Sequence, residues 1–125
     1  MSKNKKRDLI ILRKIQEYQN EIIYSLKKNK VQVNTDLSKI EYMTRRGLVQ
    51  TVGDIFELTK SMTDETLGKL ELNQIFIKQF RDWASHQYRN ITDDVAFTSI
   101  SHVISKDVVK RIKDEIENIK EELDK

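Results

Sequence analysis

The chain has no cysteine, no proline, three glycines and a single tryptophan across 125 residues. Without cysteine it has neither disulfides nor thiolate metal sites. Strand-rich, turn-rich folds draw on glycine and proline, so their scarcity favours helices. No apolar run approaches the length of a membrane span, and the N-terminus lacks the apolar core of a signal peptide. There is no P-loop, no glycine-rich phosphate cradle and no His-Glu-x-x-His zinc motif. Neither histidine has a glutamate three residues before it, which excludes the Glu-x-x-His pairs of a di-iron bundle. A helix-turn-helix around Arg45 to Lys60 lacks a turn between two helices. The expectation is a cytoplasmic protein with no membrane partner, no metal and no cofactor. Its length suits one domain, residues 1–125, with one core.

The net charge is only +3, which does not by itself imply nucleic acid. Its distribution says more. Lys3, Lys5, Lys6, Arg7, Arg13, Lys14, Lys27, Lys28 and Lys30 crowd the first quarter, against Asp8, Glu17 and Glu21. Acidic residues gather at the other end, in Asp114, Glu115, Glu117, Glu121, Glu122 and Asp124. A basic face opposite an acidic one suits a polyanion or a charged partner. Solvated helix faces laced with i,i+4 pairs are the plainer alternative.

Hydrophobic spacing is helical throughout. Leu9, Leu12, Ile15, Tyr18 or Gln19, Ile22 and Leu26 predict a first helix from about Arg7 to Lys28. Asn29 to Asn34 reads as a connection. Asn34, Thr35 or Asp36 can cap a second helix carrying Leu37, Ile40, Leu48, Val52, Ile55, Phe56 and Thr59, ending near Ser61. Gly47 and Gly53 inside it predict close approach of another helix. Thr63-Asp64-Glu65 starts a third helix, with or without a short turn before Leu72, Ile75, Phe76, Phe80 and Trp83. Thr92-Asp93-Asp94 caps a fourth, with Val95, Phe97, Ile100, Val103 and Ile104. Ser105 caps a fifth, whose stripe is Val108, Val109, Ile112, Ile116, Ile119 and Leu123. The fold class expected is all-α, a helical bundle of four to five helices. Tyr18, Tyr24 and Tyr42 read as packing residues with polar tips. His102 reads as structural or exposed.

One segment stands apart: Arg81-Asp82-Trp83-Ala84-Ser85-His86-Gln87-Tyr88. It puts a permanent cation, a proton shuttle and a phenol close together, a set suited to cutting a phosphodiester without a metal. Residues five apart on a helix point roughly 140° away from each other. For Arg81 and His86 to share a pocket, the helix must end or bend near Ser85, or the pocket must draw on two chains. A helix end is expected here, followed by an irregular stretch through Arg89-Asn90-Ile91.

This pattern resembles the HEPN superfamily of all-helical domains, whose hallmark is Arg, four to six spacers, then His. More narrowly it resembles the HepT-like, DUF86-type toxins, in which one residue and a tyrosine follow. Arg81, His86 and Tyr88 match that extended pattern. Asp82 stands where many members have Asn or another polar residue, Phe97 where tryptophan is expected, and a proline-tryptophan start to the motif helix is missing. The segment from Tyr42 to Leu58 resembles the family's long second helix, and that from Ile91 to Ile104 the helix after the motif. The resemblance implies a HEPN-like fold and a metal-independent endoribonuclease acting on RNA, the toxin of a type VII-like toxin–antitoxin module. It further implies a homodimer with two motifs facing each other. The implied partner is a cognate minimal nucleotidyltransferase antitoxin able to transfer AMP to Tyr88.

Metal-free RNA cleavage uses the 2′-hydroxyl as internal nucleophile. It needs a base for that proton, an acid for the leaving 5′-oxygen and a cation for the phosphorane. His86 can be base or acid and Arg81 the cation. A symmetric dimer would supply a second His86. Each residue has a plainer role: a histidine at a helix end can simply favour the helix dipole. Asp82 pairs with Arg81, orients His86 or sits exposed. Ser85 bonds phosphate or closes the helix. Arg89 and Asn90 contact RNA or the partner's nucleotide, or are solvated loop residues. Arg45 and Arg46 are weaker candidates. Trp83 belongs to the core or a dimer interface. Two other functions stay open: a non-catalytic HEPN helical module binding a nucleotidyltransferase or RNA, and a generic helical interaction protein.

Overall fold

The computed structural model describes residues 2–28, 42–72 and 100–125. Among these residues the only regular structure is helix. The elements are α1 (Ser2–Lys28), α2 (Tyr42–Thr59), the short α3 (Asp64–Lys69) and α4 (Lys106–Leu123), with residues 100–103 forming a helical end just before α4. The all-α expectation holds over these residues. The connection at Asn29 to Asn34 and the cap at Asn34, Thr35 or Asp36 lie outside them, as do Leu37 and Ile40. So do Ile75, Phe76, Phe80, Trp83, the cap at Thr92-Asp93-Asp94, Val95 and Phe97.

The central element is α1, which packs chiefly along α4 and next along α2. Its buried stripe is Leu12, Ile15, Ile22 and Leu26, joined by Ile11. Two polar residues share that stripe. Asp8 takes the position expected of Leu9, which is only partly buried, and Gln19 rather than Tyr18 faces inward. Against α1 lie Leu48, Val49, Val52, Ile55 and Phe56 of α2 and Val108, Ile112, Ile116 and Ile119 of α4. Each such side chain, fully buried, contributes about 1.5–3 kcal/mol of transfer free energy.

The start of α1 differs from expectation: it begins at Ser2, not near Arg7. Its first turn has no acidic residue, and its lysines oppose the helix dipole. Tertiary contacts hold the turn instead. The Lys5 ammonium lies 3.4 Å from Glu65 of α3 and 3.7 Å from Glu122 of α4. The far end of α1 needs no such help, because Lys27 and Lys28 complement the dipole there.

The helix starting after Thr63 stops at Lys69 rather than continuing into the next apolar run. The Thr63 hydroxyl caps it by accepting the Thr66 N–H. Beyond it, Glu71 adopts φ 51°, the left-handed region that a non-glycine residue enters at a cost of about 1–2 kcal/mol. An ion pair of 2.9 Å between Glu71 and Arg111 holds the reversal against α4. Ser105 caps α4 as its sequence predicts, accepting the Val108 N–H.

Two packing expectations fail. A Cβ added to Gly47 would meet nothing within 4 Å, so among the described residues no helix makes the close approach expected there. Tyr24 is 67% exposed; it sits on the outer side of α1, away from both packing partners. Tyr18 does pack against the core, with the Lys14 ammonium 5.1 Å from its ring centre. The Tyr42 side chain lies outside the description.

Candidate functional site

Arg81, Asp82, Ser85, His86, Tyr88, Arg89 and Asn90 all lie in residues 73–99, outside the described residues. What the structure gives is the frame on either side. Leu72, just before that segment, and Ile100, just after it, are both buried in the one core. α1 supplies two polar anchors, one to the cap of α3 and one to the backbone at Val103.

The first anchor is Asp8, fully buried. Its Oδ1 accepts the Thr63 N–H at 3.0 Å. Its Oδ2 accepts the Thr63 and Thr66 hydroxyls, each at 2.6 Å. The two hydroxyl oxygens stand 3.1 Å apart. Each hydroxyl has one proton, and the ionised carboxylate is the stronger acceptor, so both protons go to Asp8. The Thr63 oxygen is then left to accept the Thr66 N–H. Burial pushes the Asp8 carboxyl up, but the Thr63 and Thr66 hydroxyls, the Thr63 N–H and the Lys5 charge outweigh it. The result is a carboxyl below the usual aspartate range. The charge pattern, which only sets Asp8 with Glu17 and Glu21 against the basic first quarter, does not predict this. The signal was present nonetheless, because Asp8 precedes Leu12 and Ile15 by one and two turns on the buried stripe.

The second anchor is Gln19. Its Nε2 donates to the Val103 carbonyl at 2.8 Å, filling an acceptor that the end of a helix leaves open. Its Oε1 is buried with no hydrogen-bond partner among the described residues, a deficit of about 1–3 kcal/mol. His102, one residue before Val103, is half-buried, and burial lowers its pKa. The half-buried placement falls between the two expected for it.

A charged cluster gathers at the other end of α1, around its start and close to Asp8. Lys69 lies 3.7 Å from Glu65 and 3.6 Å from the buried Glu115, while Lys5 spans Glu65 and Glu122. The basic start of α1 and the acidic end of α4 are therefore neighbours at this corner, not opposite faces as the charge pattern suggested. Burial pushes the Lys5 ammonium down, but the Glu122 and Glu65 carboxylates prevail and its pKa is raised.

Among the described residues, no group of three or more histidine and carboxylate side chains is placed to hold a metal ion. No helix among them is long and apolar enough to cross a membrane. Chemically, the described polar groups position backbone. Asp8 holds the cap of α3, and Gln19 holds the backbone at Val103, shortly after the segment bearing the arginine–histidine motif. Comparison of the chain with protein-family models, with curated proteins and with solved structures gives no match.

Proposed function

We propose that this chain is a HEPN-like, metal-independent endoribonuclease, cytoplasmic and dimeric, the toxin of a module controlled by a nucleotidyltransferase antitoxin. The observation that carries the reading is Arg81, four spacers, His86, one spacer and Tyr88 within a helical chain. The all-α frame of the described residues is compatible with it. In this reading the 2′-hydroxyl of RNA attacks its own 3′-phosphorus. His86 of one chain takes the proton, and Arg81 balances the charge that builds on the non-bridging oxygens. The bond from phosphorus to the 5′-oxygen breaks, and His86 of a second chain protonates that oxygen. Tyr88 is the acceptor of AMP when the partner silences the toxin. Asp82, Ser85, Arg89 and Asn90 support the pair or contact RNA.

The test is RNA cleavage in EDTA, comparing wild type with His86→Ala. The expected result is 2′,3′-cyclic phosphate ends from wild type and a loss of at least about 10²-fold in the variant, the low end for removing a general acid–base. Equal cleavage by both proteins would sink the reading. No cleavage by folded wild type lacking AMP on Tyr88 would favour a non-catalytic partner of a nucleotidyltransferase instead. A mass increment of AMP on wild type but not on Tyr88→Phe, after co-expression with such an enzyme, would place the modification.

A further inference from the structure

We propose that the solvent side of α1 is a docking surface for the phosphate backbone of a nucleic acid. Lys6, Arg7, Arg13, Lys14, Lys27 and Lys28 are all exposed along it. Only two exposed carboxylates share that side, Glu17 and Glu21, and Glu17 is taken by Lys14 at 3.3 Å. The other carboxylates near the start of α1 are engaged elsewhere: Asp8 by the two threonines, Glu65 and Glu122 by Lys5. Among the described residues, no carboxylate lies within ion-pair distance of Lys6, Arg7, Arg13, Lys27 or Lys28. Among the described cations of the basic first quarter, Lys5 is neutralised by α3 and α4 and Lys14 by Glu17, while Lys6, Arg7, Arg13, Lys27 and Lys28 face water.

Lys6 to Lys28 spans about 33 Å of helix. A line of cations that long matches an extended polyanion rather than a single small anion. The apolar content of this side argues against other partners. The exposed large hydrophobics are Ile10 and Tyr24, which lie about 21 Å apart along the axis. A membrane-surface helix needs a continuous apolar face, and a protein interface needs a clustered apolar centre. A nucleic-acid backbone needs neither, since its affinity comes from counterion release. Exposed Tyr24 adds a planar ring on which a base can stack. The inference rests on the proposed function only in taking RNA as the nucleic acid.

The probe is a labelled single-stranded 2′-O-methyl oligoribonucleotide, which lacks the nucleophile and cannot be cleaved. Binding is measured by anisotropy over a salt series. Lys6→Gln/Arg7→Gln/Arg13→Gln should bind more weakly, with a log–log salt slope smaller by about 2, at about 0.7 per lost contact. Its melting temperature should stay near wild type, because the three side chains are exposed and form no ion pair among the described residues. Lys106→Gln/Lys113→Gln/Lys125→Gln removes the same charge from exposed positions in the C-terminal part of the chain and should keep the wild-type slope. Equal losses in both variants would overturn the proposal, as would an unchanged slope in the first. Failure of wild type to bind the oligonucleotide would also overturn it, including where wild type binds phosphatidylserine–phosphatidylcholine vesicles instead. Cleavage that depends on His86, with oligonucleotide binding indifferent to α1, would remove this surface and keep the ribonuclease. Binding that follows α1, with no cleavage, would do the reverse.

Discussion

At Asp8, water is excluded and three donors replace it. Hydrogen bonds to a charged group contribute roughly 1.5–3 kcal/mol each at the most favourable, and neighbours sharing one carboxylate do not add. Because the folded pKa is depressed, this stabilisation is complete above the usual aspartate value, about 3.9, and is lost as pH falls through the folded value. His102 acts in a different window. Burial lowers its pKa, so below the usual value of about 6.5 the unfolded chain takes up the proton more readily and stability declines. Asp8→Asn should lose about 2–3 kcal/mol at neutral pH, with the difference from wild type shrinking in acid below about pH 4. His102→Gln should flatten the loss that sets in below about pH 6.5 and leave the one due to Asp8 in place. Urea unfolding across pH measures both. An Asp8→Asn deficit that persists unchanged in strong acid would show that the carboxylate charge is not what holds Thr63 and Thr66.

At the scale of the element, α2 carries a residue that weakens it for no packing gain among the described residues. Gly47 is exposed, its Cβ position is open, and no described glycine has a positive φ. Alanine fits that backbone and restricts the unfolded chain more than glycine does. Gly47→Ala should therefore stabilise the protein by about 0.5–1 kcal/mol in denaturant unfolding. A decrease would mean that another surface covers Gly47 in the assembled protein. The short α3 is the opposite case. Its cap residue, Thr63, is also a donor to Asp8, so a six-residue helix too short to persist alone is fixed from outside.

For the whole molecule, α1 is the shared wall of the core, in contact with both α2 and α4. Leu12 is fully buried in that wall. Leu12→Ala should cost about 2–5 kcal/mol, a large part of the roughly 5–15 kcal/mol that holds a domain of this kind. Thermal unfolding followed by circular dichroism should show a single transition at a lower temperature. Separate transitions for different helices would show that α2 and α4 do not depend on one another through α1.

Several features were legible in the sequence because they are local. The helical class follows from the scarcity of glycine and proline and from the spacing of leucine, isoleucine and valine. The Thr63 and Ser105 caps follow from residue type and position. The arginine–histidine–tyrosine pattern is likewise a matter of order along the chain. Other features needed three dimensions. Helical periodicity puts Asp8 on the stripe of Leu12 and Ile15, but only the two threonines on a distant segment make burial of its carboxylate favourable. Gln19 outcompetes Tyr18 for the interior because an unpaired carbonyl at Val103 awaits its amide. Lys5 and Lys6 are neighbours with the same chemistry. The packing of α3 and α4 neutralises one and leaves the other facing water. Sequence sets which side chains a helix offers along its length; the surfaces that meet it decide which charges are buried, which are paired and which remain exposed.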